Sequence, residues 1–245
     1  VDQAHEEPGN LPAPLRPLVG RQRELSELSH LLLDKQCRLL TILGVGGSGK
    51  TRLAIALGTA VQQHFPHGVY LVNLADHGTV EAILPAIAEA LRFTFYEGQP
   101  PLQQLADYLR QKTCLLILDN FEHLLAGGPL LTDLLQAAPH LQIVATSRER
   151  LALQSEQLYP LAGLDVAAAD GEAVQLFVQS AQLVQPDFAL SPQNQTAVHQ
   201  ICGLVEGMPL ALLLAASWIA MLSPTEIVAE LNKTTGDTAG LDLLQ

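Results

Sequence analysis

Gly44, Gly49, Lys50 and Thr51 are spaced as GxxxxGK(S/T) within Gly44-Val45-Gly46-Gly47-Ser48-Gly49-Lys50-Thr51, the pattern that holding a polyphosphate requires. Glycines admit positive φ and let successive N–H groups converge on an anion with no Cβ in the way. A helix starting at the end of the loop adds unpaired amides and the positive end of its dipole. Lys50 can then reach the β- and γ-phosphates, and the Thr51 hydroxyl can ligate Mg²⁺, a hard cation that combines a few protein oxygens with phosphate oxygens. The expected nucleotide-binding set is Gly46, Gly47, Ser48, Gly49, Lys50, Thr51 and, one residue on, Arg52. A glycine-rich turn between any strand and helix has a similar composition. Here the apolar run Arg38-Leu39-Leu40-Thr41-Ile42-Leu43 precedes the loop and the amphipathic run Arg52-Leu53-Ala54-Ile55-Ala56-Leu57 follows it, which is the strand-loop-helix context the chemistry needs.

The second half of a nucleotide site stands at Asp119, the last residue of Thr113-Cys114-Leu115-Leu116-Ile117-Leu118-Asp119. At a strand's carboxyl end it can hold Mg²⁺ directly or through water, although an Asp ending a strand is also a common helix cap. The next residue is Asn120, which can orient water but is a poor base. Glu122 can substitute as the base that aligns water, or be a solvated helix residue. Thr146-Ser147-Arg148 ends a later strand and can present a hydroxyl and a planar, permanently charged guanidinium to a γ-phosphate, with Arg150 the competing arginine. Gly207-Met208-Pro209-Leu210-Ala211 opens a helix with proline in its first turn.

The elements that must position these residues alternate. Apolar runs at 38–43, 68–74, 113–119 and 141–146 read as strands, and 157–161 as an edge strand with Pro160 at its margin. Helical periodicity separates them, at 79–91, at 102–110 and through Leu130, Leu131, Leu134 and Leu135, after a first helix carrying Leu25, Leu28, Leu31 and Leu32. Alternation of this kind implies right-handed crossovers and a parallel sheet whose carboxyl ends carry the ligand. From Asp165 only helices follow, at 171–183, 193–205, 209–221 and 224–231, the last with Ser223 as cap and Glu226 three residues on. The expected organisation is a proline-rich linker at 1–17, an α/β nucleotide-binding domain at 18–164, an all-helical subdomain at 165–232 and a flexible tail at 233–245.

Composition narrows the function. The 245 residues are 48% apolar and carry a formal charge of -12 with only 13 Lys and Arg, which argues against a nucleic-acid grip by this segment. Cys37, Cys114 and Cys202 have no metal-ligand spacing and read as buried free thiols of a reducing compartment, the cytoplasm. Met208–Leu222 contains Pro209 and Ser217 and falls short of the roughly 20 apolar residues of a span, so it reads as a buried helix rather than a membrane segment. A start at Val1 without a charged-then-apolar leader suggests a piece of a longer polypeptide.

The order of Leu18-Val19-Gly20-Arg21-Gln22-Arg23-Glu24, the phosphate loop, Leu115-Leu116-Ile117-Leu118-Asp119-Asn120, Thr146-Ser147-Arg148 and Gly207-Met208-Pro209-Leu210-Ala211 resembles the signal-transducing STAND ATPases, the NB-ARC and MalT-like group of P-loop NTPases, over residues 12–232. The resemblance implies a P-loop sheet with helices on both faces followed by a small helical subdomain. It also implies that Val19 and Arg21 line an adenine pocket, that Pro209, with Leu210 beside it, packs on the adenine, and that Arg148 is the sensor arginine. Lys50, Asp119, Asn120, Glu122 and Arg148 are then the catalytic candidates, and Thr51 and Asp119 the Mg²⁺ ligands. Asn120 departs from the second acidic residue of the NB-ARC branch, which points to slow hydrolysis. No winged-helix domain is matched, and the proline-rich lead resembles large bacterial transcriptional regulators in which an effector domain precedes the module and helical repeats follow. The expected function is an ATP/ADP switch whose exchange controls oligomeric assembly or activation of fused domains. A nucleotide-binding scaffold without hydrolysis is one rival. A small-molecule kinase is another, although it would need a second pocket with its own Arg and Asp cluster.

Overall fold

A strand needs a continuous apolar run only when both its faces are covered, and Cys114–Asp119 (β3) is buried at every position. The computed structural model describes residues 9–236 except 15, 35 and 169, with backbone alone for 234–236. In it β3 lies inside a five-stranded, all-parallel sheet. The order is β2 (Val69–Asn73), β3, β4 (Leu141–Ser147), β1 (Leu39–Leu43) and β5 (Glu156–Pro160). Alternation along β3 explains the apolar run. Leu116 and Leu118 join a core with α3 (Ile83–Ala90), α4 (Pro101–Leu109) and α5 (Gly128–Ala137). Ile117 turns to the opposite face, where α2 (Lys50–Val61) presents Gly58 so closely that a Cβ there would come within 2.8 Å of the isoleucine methyl. Packed against α2 is α1 (Gln22–Leu33), with Leu28 and Leu32 fully buried.

The chain divides into two compact units. The first consists of Gln22–Val45, Lys50–Leu161 and the described part of residues 9–17; the second holds Leu18–Arg21, Gly46–Gly49 and the described residues from Ala162 onward. Of the expected linker, residues 1–8 and 15 lie outside the described residues. Others pack on the first unit: the Asn10 carboxamide donates to Leu71 O at 2.9 Å and accepts from Leu71 N at 2.6 Å, pairing the outer edge of β2 as a neighbouring peptide group would. Within the expected linker, the stretch around Asn10 is thus paired to a strand edge, for a reason no local composition encodes.

The second unit contains α6 (Glu172–Val184), α7 (Gln195–Leu204), α8 (Pro209–Ser217) and α9 (Pro224–Gly236), with α6 against α8 and α7 against α9 around Phe177, Val198, Ile201, Leu212 and Ile227. The capping box forms: Ser223 N donates to Glu226 Oε2 at 2.8 Å, and Glu226 N donates to Ser223 Oγ at 3.4 Å. Two helix ends differ from the expectation. The apolar segment stops at Ser217 and continues as a 3-10 turn, Trp218–Ala220, while α9 runs past Leu231 to Gly236. Residues 237–245 of the expected tail lie outside the described residues. Among the described residues no helix is long and apolar enough to cross a membrane. Cys114 and Cys202 are buried, their thiols pushed up to about 12 by burial. Cys37 is only half-buried, contrary to expectation, because it sits in the turn entering β1.

Gly207 fixes the entry to α8. Its φ is 64°, its carbonyl accepts from Leu164 N at 2.8 Å, and a Cβ would collide with the Leu164 carbonyl oxygen. Gly207→Ala is expected to destabilise the protein by about 2–3 kcal/mol, strain and displaced backbone together. Chemical denaturation checks this, and a change under about 0.5 kcal/mol would count against it.

Candidate functional site

In the parallel order β3, β4, β1, the carboxyl ends of three adjacent strands bring Asp119, Thr146 and the start of the glycine loop into one row. The loop leaves β1 at Gly44, whose N–H donates to Ser147 O at 3.2 Å, and re-enters helix at Lys50. Gly47 and Gly49 take φ of 77° and 90°, the left-handed conformations that explain glycine at both.

Lys50 is 7% exposed, and its Nζ donates to Gly44 O at 2.8 Å and Val45 O at 3.0 Å. An ammonium has three donors. The loop's own carbonyls take two and leave a third for an anion. Burial lowers the Lys50 pKa, Arg148 adds to the lowering, and Glu122 and Asp119 oppose it. Asp119, 6% exposed, receives two hydroxyls on Oδ1: Thr51 Oγ1 at 2.7 Å and Thr146 Oγ1 at 2.6 Å. Thr51 and Asp119 are therefore together, in the arrangement through which a hydroxyl and a carboxylate share a divalent cation and its waters. Among the described residues no group of three His, Cys, Asp or Glu could hold a metal, so a cation here would need phosphate and water oxygens as well.

Asn120 has φ 61° and ψ 49°, and its N–H donates to Thr146 Oγ1 at 3.0 Å. Asn tolerates this left-handed conformation better than most residues, a backbone reason for asparagine that the sequence did not disclose. Glu122 is not the solvated residue that the sequence left open: its side chain is 9% exposed and pairs with Arg148 Nε at 3.2 Å. Arg148 itself is 60% exposed. The Ser147 hydroxyl accepts from Glu149 N at 3.1 Å, so of the Thr146-Ser147 hydroxyls one is engaged by Asp119 and the other by its own loop. Arg150 is exposed. The Arg52 guanidinium does not turn to the loop but donates to Arg16 O at 3.3 Å and Pro17 O at 3.2 Å, which leaves only its backbone to a phosphate site.

In the second unit, Gly46, Gly47, Ser48 and Gly49 lie at the start of α8: Leu210 N donates to Gly47 O at 3.2 Å, and Pro209 is within 3.8 Å of the Cβ position of Gly49. Leu210 stays 45% exposed. Ser48 Oγ is buried with no hydrogen-bond partner among the described residues. Arg21, at φ 68°, donates its N–H to Glu172 Oε1 at 2.8 Å and its guanidinium to Ala162 O at 2.6 Å and to Ser48 O and Gly163 O at 3.4 Å. Its head therefore ties backbone segments together. Val19 packs against the helical core. Thr146 as the bridge between Asp119 and Asn120, and Glu172 as the clasp on Arg21, were not foreseen. Strand register could have found the first; the second lies 151 residues away along the chain, with no local signal.

Residues 33–153 match the AAA domain family. An uncharacterized protein of Mycobacterium tuberculosis is 35% identical over 219 residues, 89% of this chain and 54% of its own length, so the chain spans about half the length of such relatives. A second M. tuberculosis protein, named as an HTH-type transcriptional regulator, is 36% identical over 198 residues, 80% of this chain and 22% of its own. Among solved structures, a Signal Transduction ATPase with Numerous Domains with a tetratricopeptide repeat sensor, from Pyrococcus horikoshii, superposes with a TM-score of 0.52 at 21% identity over 82% of this chain and 31% of that one, a likeness of fold. Residues 33–153 are thus similar to the AAA domain family, and the parallel sheet with its glycine loop after β1 has the fold of the P-loop NTPases.

Proposed function

We propose that the chain is the nucleotide-dependent switch module of a multidomain transcriptional regulator, binding ADP or ATP with Mg²⁺ and hydrolysing ATP slowly. The observation that carries this reading is the meeting of Thr51 and Asp119 at 2.7 Å directly beyond the glycine loop, beside a lysine with one donor left over. The orphaned Ser48 hydroxyl, in the loop itself, supports the fit, since a buried polar atom without a partner is what a bound polar group would satisfy. With a nucleotide bound, Lys50 would meet the phosphates, Thr51 and Asp119 would hold Mg²⁺, and the metal would neutralise charge on the β- and γ-oxygens.

Val19, Arg21, Pro209 and Leu210, assigned to the adenine by resemblance, belong to the same unit as loop residues 46–49. A switch needs a nucleotide that binds two states differently. Residues 18–164 and 165–232 would then be the nucleotide-binding domain and its helical subdomain, in a cytoplasmic regulator whose effector domains lie in the rest of the polypeptide. The M. tuberculosis relative named as a regulator supports the setting.

Single-turnover ATP hydrolysis with and without Mg²⁺ tests the reading. The expected rate is Mg²⁺-dependent and below about 1 per second, under the ordinary enzyme range. A rate of about 10 per second or more would defeat the switch reading, and Mg²⁺-independent binding with no turnover would leave the scaffold.

A further inference from the structure

Gly9 and Asn10 lie along the outer edge of β2, and the chain leaves that edge through a side chain. Gly9 forms a parallel bridge with Val69, so close that a Cβ there would fall 2.5 Å from the Val69 carbonyl oxygen. Asn10 N donates to Val69 O at 3.3 Å. A continuing parallel strand would offer its next carbonyl to Leu71 N–H, and the N–H two residues beyond Asn10 to Leu71 O. That residue is Pro12, which has no N–H. The Asn10 carboxamide fills both roles instead, accepting from Leu71 N at 2.6 Å and donating to Leu71 O at 2.9 Å. The side chain completes the ladder, and the backbone is free to turn away.

It turns onto α2. A Leu11 methyl lies 3.2 Å from where a Cβ on Gly58 would stand, in the second half of that helix. Farther on, Arg16 O and Pro17 O accept from the Arg52 guanidinium at 3.3 and 3.2 Å, in the helix's first turn. The segment therefore runs back along α2, against the helix's own direction, from the edge of β2 to the turn that carries Lys50 and Thr51. Pro12, Pro14 and Pro17 each fix a φ, so less conformational entropy opposes the docking. The same turn must be ordered around phosphate oxygens when its amides, Lys50 and Thr51 bind them. Two attachments that order one element favour each other, because each meets a turn that the other has already fixed.

We propose that the described residues of 9–17 are a strap whose docking on β2 and α2 is linked to nucleotide binding, a linkage that rests on the nucleotide-binding reading above. Bound nucleotide holds the strap down, and lifting the strap off β2 lowers nucleotide affinity. Asn10 is the anchor and Arg52 the latch. A pull on the polypeptide ahead of α1 is thereby felt at the phosphate loop. Because coupling between two binding events is reciprocal, the factor by which an undocked strap weakens the nucleotide equals the factor by which nucleotide depletes the undocked state.

The Leu71 amide reports the strap, since its N–H donates to Asn10 Oδ1. Amide hydrogen exchange of the full chain, with and without ADP and Mg²⁺, is combined with calorimetric ADP affinity. Gly9→Ala, whose Cβ meets the Val69 carbonyl, and Asn10→Ala, which removes the anchor, are each expected to weaken ADP about fivefold, the low end of ordinary coupling. In the wild type, ADP is expected to slow Leu71 exchange by the same factor, about fivefold, and the slowing to level off at saturation. Arg52→Ala is expected to abolish that slowing, and Asn10→Ala added to it to weaken ADP no further, because the link is already cut. The Leu115 amide, which donates to Gly68 O inside the sheet, gives the contrast: exchange through global unfolding slows in proportion to ADP without levelling off. Leu71 slowing that rises with ADP in that way would mean that the strap comes off only with unfolding, and would overturn the proposal. Leu71 exchange indifferent to ADP, or ADP affinity within about 1.5-fold of wild type in both Gly9→Ala and Asn10→Ala, would overturn it as well. Wild-type protein that binds no ADP would instead fail the underlying reading, and calorimetry shows that first. Gly9 and Asn10 are exposed, so their variants fold. The wild-type exchange measurement needs no substitution and decides alone if one of them does not.

Discussion

Lys50→Ala is expected to weaken ADP binding about 150-fold, or about 3 kcal/mol, the scale for truncating one member of a buried charge pair. The wild-type ammonium is held in place by the carbonyls of Gly44 and Val45, so its position is set before any ligand arrives. Burial already lowers its pKa, which records the cost of keeping it charged there without an anion. The same variant should keep or slightly raise the stability of the nucleotide-free protein, since removing a desolvated charge costs little. Isothermal calorimetry against ADP, paired with thermal melting, separates the two effects. Unchanged ADP affinity in a folded Lys50→Ala would remove the phosphate-loop assignment.

Asp119→Ala and Asp119→Asn are expected to part company. Alanine leaves the Thr51 and Thr146 hydroxyls without their shared acceptor, and the buried Thr146 hydroxyl without one should lower stability by about 1–3 kcal/mol. Asparagine keeps an acceptor at Oδ1 and should hold stability within about 1 kcal/mol. Both variants lose the anionic charge, so both should lose the Mg²⁺ dependence of ATP binding and at least about 100-fold of hydrolysis, the scale for removing a positioned electrostatic group. Titrating ATP affinity against Mg²⁺ in the two variants gives the answer. An Asp119→Asn protein that retained full Mg²⁺ dependence would show that the carboxylate is structural only.

The phosphate loop and the strands were legible because their determinants are local. Positive-φ glycines, a helix that starts at Lys50 and the buried run from Cys114 to Leu118 are each written in adjacent residues, and parallel strands covered on both faces leave an unbroken apolar signature. The capping box at Ser223 and Glu226 was legible for the same reason. Order along the sheet was not written locally. It depends on which crossovers close, and that order puts the end of β4 beside the end of β3, so that Thr146 supports Asp119 across 27 residues. The pairing of Glu122 with Arg148, the clasp of Glu172 on Arg21 across 151 residues and the Asn10 carboxamide on Leu71 across 61 follow from the same cause. Sequence determined that this chain builds a P-loop and which side chains are available to it. Only the tertiary structure decided which of them meet, because a polar side chain's role depends on the partners that packing brings within hydrogen-bond reach.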